Sequence, residues 1–301
     1  MGLLSIEYIA QQIVNGLILG SMYAMVAIGF SMIYGIIRLI NFAHGDVVMV
    51  GAFLTLGLLQ VFGAPFPLVA LAVLAAGAGI GILIEKAAFR PMRGAPQVTG
   101  FIASLAVSIM LQNFGVLVLT AQPRNFTFPG YLQKVMHISS ISFRLVDLVI
   151  MMCALTLMCG LMLLVKKTRM GMAMRATAED IDVARLMGIN INRTIMATFA
   201  VGSALAGIAG LMWGGKFGQI DPLLGLIPGL KSFVAAVIGG VGSIPGAILG
   251  GYVLGLSEVL FVGLLPPIYS AYRDAFVFGT LILILLIMPN GILGKAMEER
   301  A

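Results

Sequence analysis

The chain has 301 residues, 60% of them apolar and only 10% charged, with a formal net charge of +6; its mean hydropathy is +1.08. Soluble domains average roughly 45–50% apolar and about 25% charged residues, so this composition excludes a soluble domain and indicates a polytopic membrane protein. The apolar runs are continuous rather than alternating, which selects helices over a barrel and gives an expected all-α helical bundle.

A span needs about 20 apolar residues to cross a core roughly 30 Å thick. Candidate spans are 9–34, 46–62, 66–84, 98–120, 145–165, 194–214, 228–244, 246–264 and 275–294. No linker or soluble segment interrupts them, so residues 1–301 are expected to form one membrane domain. Allowing for short or broken spans, the total expected is about eight to ten. The N-terminus lacks a basic stretch and its apolar run is long, so no cleavable signal peptide is expected. The 38 glycines and 20 methionines suit close helix approach and adaptable packing in lipid. Gly16/Gly20, Gly246/Gly250 and Gly251/Gly255 have the small-xxx-small spacing of tight helix contacts.

Between the first two spans lies RLINFAHGD (38–46). Asn41 and His44 stand three apart, and His44 and Asp46 flank Gly45. One reading is a broken helix whose polar groups line a pathway, since irregular backbone in a membrane is tolerated only beside protein or water. The other is a short polar turn with Asp46 as N-cap of the second span. Farther on, Asn15, Gln112 and Asn113 are intramembrane amides that serve either as interhelical hydrogen-bond partners or as substrate contacts. Cys153 and Cys159 share one apolar stretch with no nearby His or carboxylate, and both read as buried core residues.

The segment Lys166–Arg193 (KKTRMGMAMRATAEDIDVARLMGININR) breaks the apolar pattern with nine charges. At about 3 kcal/mol each, burying them in a bilayer would cost roughly 25 kcal/mol, so this island lies outside the membrane. The island, Lys86, Arg90 and Arg93 of the loop 85–93, the tail residues Lys295 and Arg300, and Arg38 hold twelve of the eighteen basic residues. Parity puts Arg124, Lys134, Arg144, Lys216, Lys231 and Arg273 in loops on the other face, and the positive-inside rule places the island in the cytoplasm. The net charge is thereby explained without nucleic acid. Within the island Thr177 and Asp180 have capping-box form, Glu179, Asp180 and Asp182 suit a first turn, Arg185 a last turn, and Gly188 a stop. These signals predict one helix over 178–187, with Ile181, Ala184 and Met187 on an apolar face. That face either docks in a partner's groove or lies against the protein's own helix ends.

GLMWGGK (210–216) has phosphate-loop spacing, but Phe217 stands where a Ser or Thr is needed and a membrane span precedes it, so it is set aside as a nucleotide site. Spans 228–244 and 246–264 are short and glycine-interrupted, and one of them reads as a broken helix. Glu258 stands in the second with no basic residue in its own segment. An intramembrane carboxylate is either a functional group or one satisfied in the bundle interior. No catalytic motif is present, so no enzymatic activity, metal or cofactor is expected.

Residues 15–46, TRMGMAMRATAEDIDVARLMGIN (168–190), GLKSFVAAVIGGVGSIPGAILGGYVLG (229–255) and MPNGILG (288–294) together resemble the branched-chain amino acid ABC-transporter permeases of the LivH type. The resemblance runs over essentially the whole chain. It implies a multi-pass permease of the bacterial inner membrane, paired with a second, related permease, two cytoplasmic ATPase subunits and a periplasmic binding protein. It also implies that the island is the loop that couples to an ATPase, with Thr177, Ala178, Glu179, Asp180, Ile181, Ala184, Arg185, Met187 and Gly188 as its candidate contact region. Ala178-Glu179-Asp180 through Gly188 follows the Glu-Ala-Ala…Gly pattern of other permeases only loosely. The candidates for pathway or gating are Asn41, His44, Asp46, Gln112, Asn113 and Glu258. The rival reading is a stand-alone secondary transporter or channel that uses Glu258, Asp46 or His44 for ion coupling.

Overall fold

A computed structural model describes residues 5–138 and 141–294; Lys295 and Arg300 of the charge count lie outside them. The fold is an all-α membrane bundle. Its helices are α1 (Ile6–Ile37), α2 (Ala43–Leu56, extended by a π turn over Gly57–Val61), α3 (Phe66–Ile84, extended likewise over Glu85–Phe89), α4 (Gln97–Leu119) and α5 (Leu145–Lys167). The island holds α6 (Arg169–Glu179) and α7 (Ile181–Leu186), followed by α8 (Ile191–Phe217), α9 (Leu226–Gly239), α10 (Ile244–Leu264) and α11 (Arg273–Ile287). Four short strands, β1 (Arg124–Asn125), β2 (Val135–Ile138), β3 (Ile141–Arg144) and β4 (Gln219–Ile220), pair antiparallel as β1 with β4 and β2 with β3.

Among the described residues, eight helices are long and apolar enough to cross a membrane, and α9 is a shorter apolar helix. Contacts sort their ends onto two faces. On one, Arg93 meets Asn192, Leu293 N–H donates to Gly239 O at 2.9 Å, and Gly242 N–H donates to Ser31 Oγ at 3.0 Å. On the other, Tyr8 hydroxyl donates to Gly263 O at 2.8 Å, Gln11 binds Ser142 O at 2.9 Å, and β1 meets β4. The chain thus alternates faces, with the island on the first.

α1 and α8 form the buried centre, and α3, α4, α5 and α11 lie outside them with much of their apolar surface exposed. Close packing at the centre rests on small residues, as their spacing predicts. A Cβ on Gly20 would stand 2.9 Å from Tyr252 Cα, and one on Gly250 would stand 1.9 Å from Ala235 O, so α1 against α10 and α9 against α10 pack backbone to backbone. The phosphate-loop look-alike is helical to Phe217, and its Gly214 and Gly215 make room for the rings of Phe126 and Phe128. Cys159 departs from expectation: it is exposed on the outside of α5, and both cysteines are free.

Two expected spans are revised. α2 begins at Ala43, earlier in sequence than position 46, yet deep inside the bundle: Gln112, which bonds Asp46 at 3.0 Å, is about 22 Å along α4 from its island-face end. Residues 38–42 form the island-side part of this crossing without helix, after Arg38 ends α1 in the left-handed region at φ 55°. The span expected at 228–244 is α9, whose 14 residues cover only about 21 Å. It too starts inside the bundle. The openings of α2 and α9 meet there, since a Cβ on Gly45 would stand 2.5 Å from Gly225 O and 2.9 Å from Gly229 Cα.

Candidate functional site

The island is two helices rather than one. Thr168 caps α6, its Oγ1 accepting from Gly171 N–H at 3.0 Å, and Thr177 sits near the end of α6 with its hydroxyl donated to Ala173 O. Thr177 therefore caps nothing, and Ala178 and Glu179 close α6 instead of opening a new helix. The break comes at Asp180, which is extended (φ −154°, ψ 118°) and whose carboxylate accepts from Asp182 N–H at 2.9 Å and Val183 N–H at 3.0 Å. A short acid at this point satisfies donors that a continuous helix would have left to backbone carbonyls, so the acidic trio is split between two helices. Gly188 is the stop as expected, at φ +80°, and Asn190 then caps α8 by accepting from Arg193 N–H at 3.0 Å.

The apolar face also divides differently. Ala184 is buried and Ile181 half-buried against the protein, while Val183, Leu186 and Met187 are 55%, 86% and 77% exposed. Arg185 is exposed and pairs with Asp182 at 3.4 Å. A cavity of about 300 Å³ under α7 is lined by Leu39, Phe89, Arg93, Ile181, Arg185 and Asn192 among others. Arg93 is held there by buried Glu85 and by Asn192, and burial pulls its guanidinium below the usual arginine range against the opposing pull of Glu85. The island is thereby tied to both the α3 extension and α8.

The intramembrane candidates fall into two groups. Asp46 lies in the first turn of α2, not at its cap, because Phe42 holds that position without a side-chain bond. Gln112 reaches across from α4, donating to Asp46 Oδ1 at 3.0 Å and to Ser108 Oγ at 3.1 Å. The three line a cavity of about 150 Å³, whose other walls are Phe30, Phe42, Leu105, Leu230 and Phe233 with the backbone of Gly225 and Gly229. Asn41 and His44 are buried beside the α2 opening, with His44 edge-on to Phe30 at 4.8 Å between centroids, and neither lines that cavity. Asn113 is one residue from Gln112 but exposed on the far side of α4, bonding Ile109 O at 2.8 Å.

Glu258 belongs to the second group. Lys231 of α9 pairs with its Oε1 at 2.7 Å, Arg273 reaches the same oxygen at 3.2 Å, and Tyr23 hydroxyl donates to Oε2 at 2.9 Å. Lys231 also pairs with Asp274 at 2.7 Å. Lys231 is thus no loop residue; it is buried and fastens α9 to α10 and α11.

The family model for the branched-chain amino acid transport system permease component matches residues 12–285. The chain belongs to this family. It is 41% identical to the high-affinity branched-chain amino acid transport system permease protein BraD of Pseudomonas aeruginosa, over 98% of this chain and 99% of that one. It is 40% identical to LivH of Escherichia coli K12 over 97% and 98% of the two chains, and 32% identical to the probable LivH of Methanocaldococcus jannaschii over 93% and 91%. No solved structure matches it.

As a member of this permease family the chain is a subunit of an ABC importer, a transport protein rather than an enzyme, and a multi-pass protein of the inner membrane. The matched region contains the island and the interior cavity alike. Sequence reasoning missed Lys231 and Ser108. Lys231 lies 27 residues from Glu258 and in an apolar run, and the signal for it was a lone basic residue at a position that a continuous span would bury. Ser108 stands one helical turn before Gln112, and that spacing was visible.

Proposed function

We propose that this chain, acting as one membrane domain, carries branched-chain amino acids across the inner membrane by alternating access, with ATP hydrolysis on two separate cytoplasmic subunits. A second, homologous permease completes the pathway, and a periplasmic binding protein delivers the substrate. BraD and LivH are named for the same substrate class, and no nucleotide-binding motif is present in the sequence.

The observation that carries the coupling role is α7. Val183, Leu186 and Met187 stand exposed on a helix held by the Asp180 cap, the Gly188 stop and the Asn190 cap. Such a knob suits an apolar groove on an ATPase subunit. A displacement of α7 passes through Asn190 into α8, and α8 bears on α2, where a Cβ on Gly210 would stand 1.9 Å from Val48 O. α8 and α2 therefore move as one unit, and α2 opens at the interior cavity.

The test is co-purification of the permease with its ATPases and ATP-driven uptake in proteoliposomes. Leu186→Asp puts a charge on an 86% exposed position, so it is expected to leave folding intact and to weaken ATPase association by about tenfold or more. Unchanged association and uptake would remove α7 from the coupling role. Uptake by this chain alone, driven by a proton gradient and indifferent to ATP, would instead favour a secondary transporter.

A further inference from the structure

The cavity at the meeting point of α2 and α9 has a charge arrangement that the helix packing does not use. Asp46 is 1% exposed. Among the described residues its Oδ2 lacks a hydrogen-bond partner, although Oδ1 receives the Gln112 amide at 3.0 Å and Ser108 stands beside the carboxylate. Buried carboxylate oxygens are ordinarily satisfied, so one without a partner, on a residue that lines a cavity, is an unused acceptor for a cation or a strong donor. Among the described residues, no basic one lines this cavity.

The same space lies at two helix openings. α2 runs from it toward one face and α9 toward the other, and neither opening is capped by a side chain. Each contributes the positive end of its dipole, and half-helix openings inside a membrane bundle are suited to hold the anionic group of a substrate. A negative side chain and two positive helix ends therefore border one cavity. Glycine makes this possible: with Gly45, Gly225 and Gly229 in backbone contact, the two openings come close enough to share a ligand.

The remaining wall is apolar and aromatic. Phe30 and Phe42 approach Phe233 at 6.0 and 6.3 Å between centroids, and Leu105 and Leu230 complete the lining. The volume of about 150 Å³ equals that of an engineered apolar cavity elsewhere that binds benzene, a guest no smaller than a branched four-carbon side chain.

We propose that this cavity is a transit site for a zwitterionic amino acid with a branched aliphatic side chain. The ammonium group sits at Asp46 Oδ2, the carboxylate at the openings of α2 and α9, and the side chain lies among Phe30, Phe42 and Phe233. Gln112 is a positioning residue, holding Oδ1 and leaving Oδ2 unused. The site rests on the importer reading above and adds to it where the substrate pauses and what the permease itself recognises. Glu258 has no part in it, because its oxygens are held by Lys231, Arg273 and Tyr23.

The test uses the complete importer in proteoliposomes with ATP on the ATPase side and the importer's own binding protein delivering leucine or valine. Asp46→Asn keeps the shape and removes the charge. It is expected to lower uptake of both by about tenfold or more, the value of one lost charge-assisted hydrogen bond, with subunit association unchanged. Asp46→Glu restores part of the rate. Phe233→Trp narrows the cavity and is expected to slow leucine more than valine, a selectivity change that a merely structural role would not produce. Equal uptake by Asp46→Asn and wild type would overturn the site, as would equal slowing of leucine and valine by Phe233→Trp. Should Asp46→Asn fail to assemble, the Phe233→Trp selectivity decides alone. Wild-type importer that shows no ATP-driven uptake of any branched-chain amino acid would bring down the importer reading itself, an outcome distinct from either variant's failure.

Discussion

Asp46 and Glu258 are both carboxylates buried in the membrane bundle, at 1% and 2% exposure, and they stand on opposite sides of the short helix α9. Glu258 is saturated: two cations and a phenol converge on it within 3.2 Å. Asp46 lines a cavity and has one oxygen held and one without a partner. Burial alone thus distinguishes nothing. What separates a clamp from a binding group is the hydrogen-bonding capacity that the surrounding protein leaves unused.

Stability measurements on purified protein can break this contrast. Lys231→Met is expected to have the largest effect, about 3–5 kcal/mol of destabilisation, because it leaves Glu258 charged and buried beside a half-exposed Arg273. The double change Lys231→Met with Glu258→Leu is expected to recover most of that loss in thermal unfolding. If the single variant unfolds like wild type, the network is not the clamp described above. Gly45→Ala comes next, at about 1–3 kcal/mol, since its methyl group would enter the backbone contact with Gly225 and Gly229. A wild-type unfolding profile for that variant would show that the two helix openings do not press together. Asp46→Asn is expected to lose the least, leaving stability unchanged or slightly raised, because it removes a buried charge whose desolvation cost its partners only partly offset. A loss as large as that of Lys231→Met would make Asp46 a structural group like Glu258 and remove the contrast.

Local signals are legible in the sequence where they depend on neighbours in the chain. The polar island, the stop at Gly188 and the tight glycine pairs of α1 and α10 all follow from spacing. The island's helix boundary lies at Asp180 although Thr177 and Asp180 are both competent caps, because the Thr177 hydroxyl is donated to Ala173 O within α6 while Asp180 accepts from Asp182 and Val183 N–H. Asn113 was grouped with Gln112 because both are amides; on a helix, adjacent residues point about 100° apart, so only one can reach Asp46.

By itself, the sequence determined the membrane class, the all-α bundle, the side-to-side alternation and the place of the island, because charge and apolar length act through the solvent and need no partner. Only the tertiary structure decided that α2 and α9 open inside the bundle, that Asp46 meets Gln112 from 66 residues away, and that Glu258 is neutralised by Lys231. The physical reason is that pairing, desolvation and open hydrogen-bond capacity are properties of several packed segments together, and no single segment carries them.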